Sequence, residues 1–378
     1  HRFVVPRVAG SSPVDRPIFR PVFADIDGIM TTPWAYPDFD DHEALHFVTD
    51  RASGLRAIIA MHSTHLGPAA GGTRFWHYAK DEEALTDALR LSRGMSFKNA
   101  MAGLPLGGGK AVILADAERT KTPAMVSAFG RAVDRLGGNY VTAEDVGMSV
   151  ADMTAIAAET RFVAGLPVAG GAVGGDPGPH TALGVFLGIK AAVRRALGKD
   201  SLAGLHIAMQ GAGSVAGGVA RRAAAEDARL TIADVAADRA QALAAETGAT
   251  IVDPSEIMTV AADVFSPNAL GAILTERSIA ALQAPIVAGG ANNQLATPAD
   301  GERLQARGIL YAPDYVINAG GIINVSTEYL GDGGPELVRS RIEAIPGRLD
   351  DIWSESESSG RDPAAVADAM AMRLIGRG

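Results

Sequence analysis

Apolar positions along this chain switch repeatedly between the two-residue period of a strand and the 3.6-residue period of a helix. Around Gly54, the runs H-F-V-T-D and L-R-A-I-I-A-M-H are strand-like, and the D-R-A-S-G between them has turn chemistry. The pattern predicts a hairpin that sends Leu55, Ile58, Ile59 and Met61 into a core. From Asp81 the spacing becomes helical. Leu85, Ala88, Leu89, Ser92 and Met95 share one face, while Asp81, Glu82 and Glu83 place negative charge at the positive end of the helix. Residues 103–109 read as a glycine loop and the following A-V-I-L as a buried strand. A helix from Pro123, stopped by Gly137 and Gly138, precedes a strand N-Y-V-T-A. Asp145 follows that strand. It could cap the next helix, but Ser149 and Asp152 compete for that role and leave Asp145 free for another.

Residues 164–180 are the richest in glycine and proline, and a domain boundary and hinge are expected there. A helix from Thr181 to about Leu197 comes next. The short buried strand L-H-I-A-M-Q then runs into Gly211-Ala212-Gly213-Ser214-Val215-Ala216 and an alanine-rich helix. This is G-x-G-x-x-A between a strand and a helix, the dinucleotide fingerprint. Two glycines allow the tight turn and backbone approach to a pyrophosphate, and small Ala216 lets helix and strand pack closely. The helix N-terminus favours the anion. A second strand, R-L-T-I-A-D, ends at Asp234, where a carboxylate can accept both ribose hydroxyls and repel a 2′-phosphate. That favours NAD over NADP, although Arg239 lies nearby. The alternation continues through strands A-T-I-V-D, D-V-F-S-P, A-P-I-V-A-G-G and G-I-L-Y-A-P, with helices around E-I-M-T-V and T-E-R-S-I-A-A-L. Asn268, Asn292 and Asn293 fall at strand ends, where turn formation and ligand contact are both open. Two helical stretches broken near residues 360–363 close the chain.

The expected fold is therefore α/β with two domains. An N-terminal α/β substrate and catalytic domain spans residues 1–164, a Rossmann-type doubly wound NAD-binding domain spans 165–354, and the C-terminal helix (355–378) returns to the first domain. Composition narrows the classes. The 378 residues carry a formal net charge of −9, 44 Gly and 47% hydrophobic positions, which counts against a nucleic-acid binder. No apolar run is long enough for a membrane span. The absence of cysteine excludes disulfides and thiolate metal sites, permits a reducing compartment, and no metal is expected. The chain begins at His1 without a charged-then-apolar signal, and residues 1–20 read as an irregular arm.

Two lysines break the pattern of a solvated surface. Lys98 and Lys110 sit among Met95, Phe97, Met101, Leu104, Leu106, Val112 and Ile113. An ammonium held in apolar surroundings pairs with an anion or loses its proton more readily, and either outcome suits an enzyme.

The motifs G-P-A-A-G-G-T-R, G-M-S-F-K-N-A, L-G-G-G-K-A-V-I, T-A-E-D-V-G, G-A-N-N-Q-L and Y-A-P-D-Y-V-I-N-A-G-G resemble those of the leucine, valine, phenylalanine and glutamate dehydrogenases, over roughly residues 47–331. The resemblance implies reversible, NAD-dependent oxidative deamination of an L-2-amino acid to a 2-oxo acid and ammonia. It also implies a cytoplasmic homo-oligomer, from dimer to octamer. It assigns Lys110 and Asp145 to catalysis, and Lys98 to the substrate carboxylate as a permanent cation. Gly71 and Gly72 lie beside the substrate. Asn292 and Asn293 fall near the nicotinamide and substrate, and Asn318 in the closing segment. Glutamate enzymes carry a lysine where this chain has Ala70 and a serine where it has Val325. An apolar pocket of Ala70, Ala143, Ile322 and Val325 is therefore expected. Branched-chain substrates are favoured, with phenylalanine as the alternative because Ala70 enlarges the pocket. A non-catalytic dinucleotide sensor would not need Lys110 and Asp145 together, and another two-domain dehydrogenase would not explain the paired lysines.

Overall fold

The hairpin at Gly54 opens the first of two sheets. In a computed structural model that describes residues 32–166 and 173–378, β1 (Ala44–Asp50) and β2 (Leu55–Ser63) pair antiparallel. Leu55, Ile58, Ile59 and Met61 are all buried. Then come β3 (Ala69–Trp76), α1 (Asp81–Met101), β4 (Gly107–Leu114), α2 (Pro123–Asp134), β5 (Tyr140–Glu144) and α3 (Val150–Ala157). The strand order is β1-β2-β4-β3-β5, antiparallel up to β4 and parallel from β4 through β3 to β5. All of this lies within a compact unit, Asp38–Gly378. Ahead of it, the described residues hold one 3-10 turn, Pro33–Ala35; the expected arm at 1–20 lies outside the described residues, as does the part of the expected hinge at 167–172.

The second sheet is a parallel, doubly wound one. Its elements are α4 (Gly178–Leu197), β6 (His206–Gln210), α5 (Ser214–Ala225), β7 (Arg229–Ala233), α6 (Ala237–Thr247), β8 (Thr250–Ile251), β9 (Val264–Pro267), α7 (Glu276–Ala281), β10 (Ile286–Val287), α8 (Ala299–Ala306) and β11 (Leu310–Tyr311). The order β11-β10-β9-β6-β7-β8 reverses direction between β6 and β9, which is where ligands bind in such sheets. The chain closes with α9 (Asp314–Ile317), α10 (Gly320–Leu330), α11 (Pro335–Glu343), α12 (Ile345–Ser359) and α13 (Pro363–Leu374). Helix α13 packs on α1, α8 and α12, and the Arg377 guanidinium donates to the Asp40, Asp41 and His62 carbonyls.

Several expectations need correction. Residues 107–109 are strand, the buried start of β4, because close neighbours substitute for the missing side chains. The segment E-I-M-T-V makes only a 3-10 turn, Ile257–Thr259; five residues boxed in by Pro254 and β9 cannot offset helix nucleation. The tail is three helices, since Pro346 has no N–H to continue α11 and a break falls at Ala344. Helix α4 starts at Gly178, one turn earlier than expected, with Pro179 in its first turn. At α3 the sequence reading holds: Ser149 caps it in a reciprocal box with Asp152, which leaves Asp145 free.

A methyl on Gly108 would fall 2.0 Å from the Ser96 amide nitrogen on α1. Gly108→Ala should therefore cost at least roughly 3 kcal/mol in urea unfolding. Ser149→Ala, as a cap deletion, should cost only about 1 kcal/mol. Equal losses in the two variants would refute the close approach.

Candidate active site

Glycines let three backbones meet. A Cβ on Gly71 would lie 1.8 Å from the Gly109 carbonyl oxygen, and one on Gly72 would lie 2.8 Å from the Glu144 oxygen and 2.9 Å from Asp145 Cβ. Tyr140 Oη donates to the Gly71 carbonyl at 2.7 Å, and Asn99 Nδ2 to the Gly107 carbonyl at 2.6 Å. Strands β3, β4 and β5 and helix α1 are thereby locked around one spot. Lys110 projects there from mid-β4, not from a loop.

Lys110 Nζ and Asp145 Oδ2 are 2.6 Å apart, with side chains 7% and 23% exposed. Asp145 also accepts from Arg74 Nε at 3.2 Å, and Arg74 Nη1 reaches Asp87 Oδ2 at 2.7 Å. Burial pulls the Lys110 ammonium below the usual lysine range despite the opposing pull of Asp145. Burial would push the Asp145 carboxyl up, but Lys110 and Arg74 outweigh it and its pKa falls. The two shifts differ in kind because Lys110 is the more deeply buried partner. The lowered pKa of Lys110 makes the loss of its proton easier than for an exposed lysine, which is what a general base requires.

Lys98 lies in the last turn of α1. Burial lowers its pKa to about 8, against the raising effect of Asp314 and with a further lowering from Lys110. Its charge is therefore conditional, which corrects the expectation of a permanent cation. Among the described residues no protein group hydrogen-bonds or ion-pairs with Lys98. Ala70 belongs to a buried apolar cluster, and Ala143, Ile322 and Val325 pack against that same cluster. These residues are supplied separately, by β3, β5 and α10.

At the second sheet, Gly211 adopts φ +97°, and a Cβ there would press on Asn268 and Ala269. Gly213 precedes α5 with open space in front of it, and Ala216 is fully buried. Asp234 accepts from the Ala212 and Ala236 amides at 2.7 and 2.8 Å, so it also braces the glycine turn. A cleft of about 390 Å³ lies beside this turn, lined by Gly213, Ser214, Arg221, Arg239 and Glu246. Val215 approaches Gly290. The side chain of Asn268 is committed to protein: it donates to Ser266 and accepts from the Gly290 amide. Asn293 sits at φ +52°, and Asn292 Oδ1 accepts from Asn318 Nδ2 at 2.8 Å. Asn318 Oδ1 is buried with no partner in the protein. An orphaned acceptor, a helix N-terminus and a glycine turn suit a dinucleotide with a carboxamide donor.

Sequence reasoning gave no role to Arg74, Asp87 or Asp314. Arg74 and Asp314 stand inside the quoted motifs G-P-A-A-G-G-T-R and Y-A-P-D-Y, which was the available signal. Asp87 offered none beyond its place on α1. No cluster of three His, Asp or Glu side chains able to hold a metal occurs among the described residues. No helix among them is long and apolar enough to cross a membrane.

Residues 42–162 match the family described as Glu/Leu/Phe/Val dehydrogenase, dimerisation domain, and residues 231–372 match Glutamate/Leucine/Phenylalanine/Valine dehydrogenase. A leucine dehydrogenase of Geobacillus stearothermophilus is 46% identical over 90% of this chain and 92% of its own length. A valine dehydrogenase of Streptomyces virginiae is 44% identical over 91% and 96%. Among solved structures, an L-tryptophan dehydrogenase from Nostoc punctiforme superposes with a TM-score of 0.79 at 41% identity, covering 89% of this chain and 96% of that one.

Removing Asp145 strands a buried cation. Asp145→Ala should lower stability at pH 7 by about 2 kcal/mol in chemical denaturation. The deficit should shrink at high pH, where Lys110 is neutral, and a pH-independent deficit would contradict the ion pair.

Proposed function

Because this chain belongs to the Glu/Leu/Phe/Val dehydrogenase family, we propose that it oxidatively deaminates an apolar L-2-amino acid of the branched-chain type, reversibly and with NAD. The observation that carries this reading is the 2.6 Å contact of Lys110 with Asp145, with the partly buried Lys98 bearing on Lys110 electrostatically. Residues 1–164, with 355–378 folded back, hold the substrate in this reading, and 165–354 hold the dinucleotide. The protein works as a cytoplasmic homo-oligomer.

A bound nicotinamide dinucleotide supplies the two-electron acceptor that takes hydride from the substrate Cα. Gly211, Gly213, Ser214, Val215 and Ala216 would hold its pyrophosphate, Asp234 its ribose, and Asn292 and Asn318 its carboxamide end. Asn268 contributes by bracing the Gly290 amide. The Asp234 carboxylate supports NAD over NADP through repulsion of a 2′-phosphate. Lys98 binds the substrate carboxylate, and the Gly71 and Gly72 backbone lets Cα approach. The amino acid reacts with its amine neutral, and loss of hydride from Cα leaves an iminium. Neutral Lys110 takes a proton from the water that attacks the iminium carbon, giving a carbinolamine. That proton passes through Asp145 to the nitrogen, Lys110 takes the hydroxyl proton as the C–N bond breaks, and 2-oxo acid and ammonia depart, the proton left on Lys110 going to solvent. Asn293 lies beside the reacting carbon.

Ala70, Ala143, Ile322 and Val325 present no charge to a side-chain carboxylate. Binding glutamate would cost on the order of a few kcal/mol in unpaired desolvation. A second reading, an aromatic substrate, is favoured by the small Ala70 side chain.

A panel of L-amino acids with NAD and with NADP, followed by NADH or NADPH absorbance, tests the reading. Branched-chain substrates with NAD should give the highest kcat/KM, and Lys110→Ala should lower kcat about 10³-fold. Amino-acid-independent turnover, or an active Lys110→Ala, would defeat the mechanism. Ala70→Leu should move preference toward smaller side chains by about tenfold per methylene; an unchanged profile would take Ala70 out of the pocket.

A further inference from the structure

Helix α9 is four residues long, yet it joins both halves of the site. Asp314, its first residue, accepts from the Gln294 amide at 3.0 Å and from the Tyr315 amide at 2.7 Å. Gln294 follows the Asn292-Asn293 turn directly. The other end of the contact is α1: the Tyr315 ring lies 6.3 Å from Phe97, the neighbour of Lys98. Tyr315 Oη donates to Asp368 at 2.9 Å, and Asp368 faces Arg93 on α1 at 3.6 Å. Two backbone amides, an aromatic contact and a charged bracket thus hold the Asp314 carboxylate against the last turn of α1.

We propose that Asp314 is a positioning residue for substrate binding, the fixed counter-anion that keeps Lys98 charged and aimed for a substrate carboxylate and ties it to the Asn292–Asn293 turn. The inference rests on the reading of Lys98 as the carboxylate anchor. The charged groups bearing on Lys98 are Asp314 from α9, Lys110 from β4 and Asp145 after β5. Arg74 on β3 faces Asp145, His62 on β2 faces Asp40, and Asp368 on α13 faces Arg93. Asp314 is therefore the one anion near Lys98 not already engaged by a cation in direct contact. Asp145 is neutralised by Lys110 and Arg74. Asp314 raises the Lys98 pKa against burial, and Lys98 in turn lowers that of Asp314 against the burial that pushes it up.

The sign follows from that arrangement. Removal of the anion favours neutral Lys98, so carboxylate binding should fail at a lower pH. The probe is 4-methylpentanoate, a branched-chain carboxylate without the reacting amine and ionised from pH 6.5 to 9.5, used as an inhibitor competing with the amino acid. In the wild type its Ki should rise above pH 8. In Asp314→Asn the rise should begin earlier; for one unit of displacement Ki would be about fivefold weaker than wild type at pH 8 and about tenfold weaker at pH 9.5. At pH 6.5 the two should agree within about threefold, as should kcat. Asp314→Glu keeps the charge and should leave the rise where the wild type has it. A fall in kcat with an unmoved rise in Asp314→Asn would overturn the proposal, as would a rise displaced equally in Asp314→Glu. Lys98→Met separates the two levels. Loss of inhibition at every pH upholds the anchor reading, so an unmoved Asp314→Asn then sinks the inference alone. Full inhibition in Lys98→Met sinks the anchor itself.

Discussion

The site depends on how closely α1 lies against β4. Gly108 stands where any side chain would strike the Ser96 backbone, and Gly71 where one would strike the Gly109 carbonyl. With ordinary side chains there, helix and strand would be held apart by a side-chain layer. Their absence brings the last turn of α1 close over the strand, beside the buried Phe97, Leu104 and Leu106. Two ammonium groups in such surroundings are costly. What surrounds them is largely a response to that cost: Asp145 on Lys110, Arg74 and Asp87 behind Asp145, Asp314 toward Lys98.

Burial acts on the two lysines alike, but its consequence differs with the partner. Lys110 has a carboxylate in contact, so loss of its proton leaves a hydrogen-bonded amine with somewhere to return the charge. Lys98 has no such contact and feels its anion at a distance, so its ammonium stays available to a ligand. In the proposed reading, one desolvated environment thus yields a base and an anchor. Exchange of roles would require moving Asp145, whose place is set by the Gly147 backbone close against Phe75 and by the Phe75 amide bonded to the Val146 carbonyl.

Much of this was legible in the residues. The period change at Asp81, the capping pair Ser149 and Asp152, and the strand–glycine–helix run at Gly211 each have local causes, and each formed as read. Misreadings arose where tertiary contact decides. Three glycines in a row look like loop chemistry, and only Ser63, Ser96 and Tyr140, distant in sequence, make them strand. Met95, Phe97 and Met101 already signalled apolar surroundings for Lys98, and its permanent charge was what the resemblance implied. Asn268 stood equally open to turn and ligand; its bond to the Gly290 amide spans a sheet neighbour that spacing cannot reveal. Asp314 went unassigned because its partners, Gln294 and Lys98, are far apart in the chain.

Helix α10 binds these parts together. Ile322 and Val325 pack against the large apolar cluster that contains Ala70. On the same helix, Glu328 accepts from the Gly165 and Leu166 amides, and Asn324 bonds both ways with the Gly174 backbone. Asn318, just ahead of the helix, donates to Asn292 and to the Gly290 carbonyl. A side chain that enlarges or fills the pocket from α10 therefore presses on a rod whose other faces hold the passage between the two sheets and the asparagine turn. In the proposed reading, α10 would couple substrate size to dinucleotide placement, whereas Ala70, on β3, lies outside that connection and would be the freer determinant of which apolar side chain is accepted.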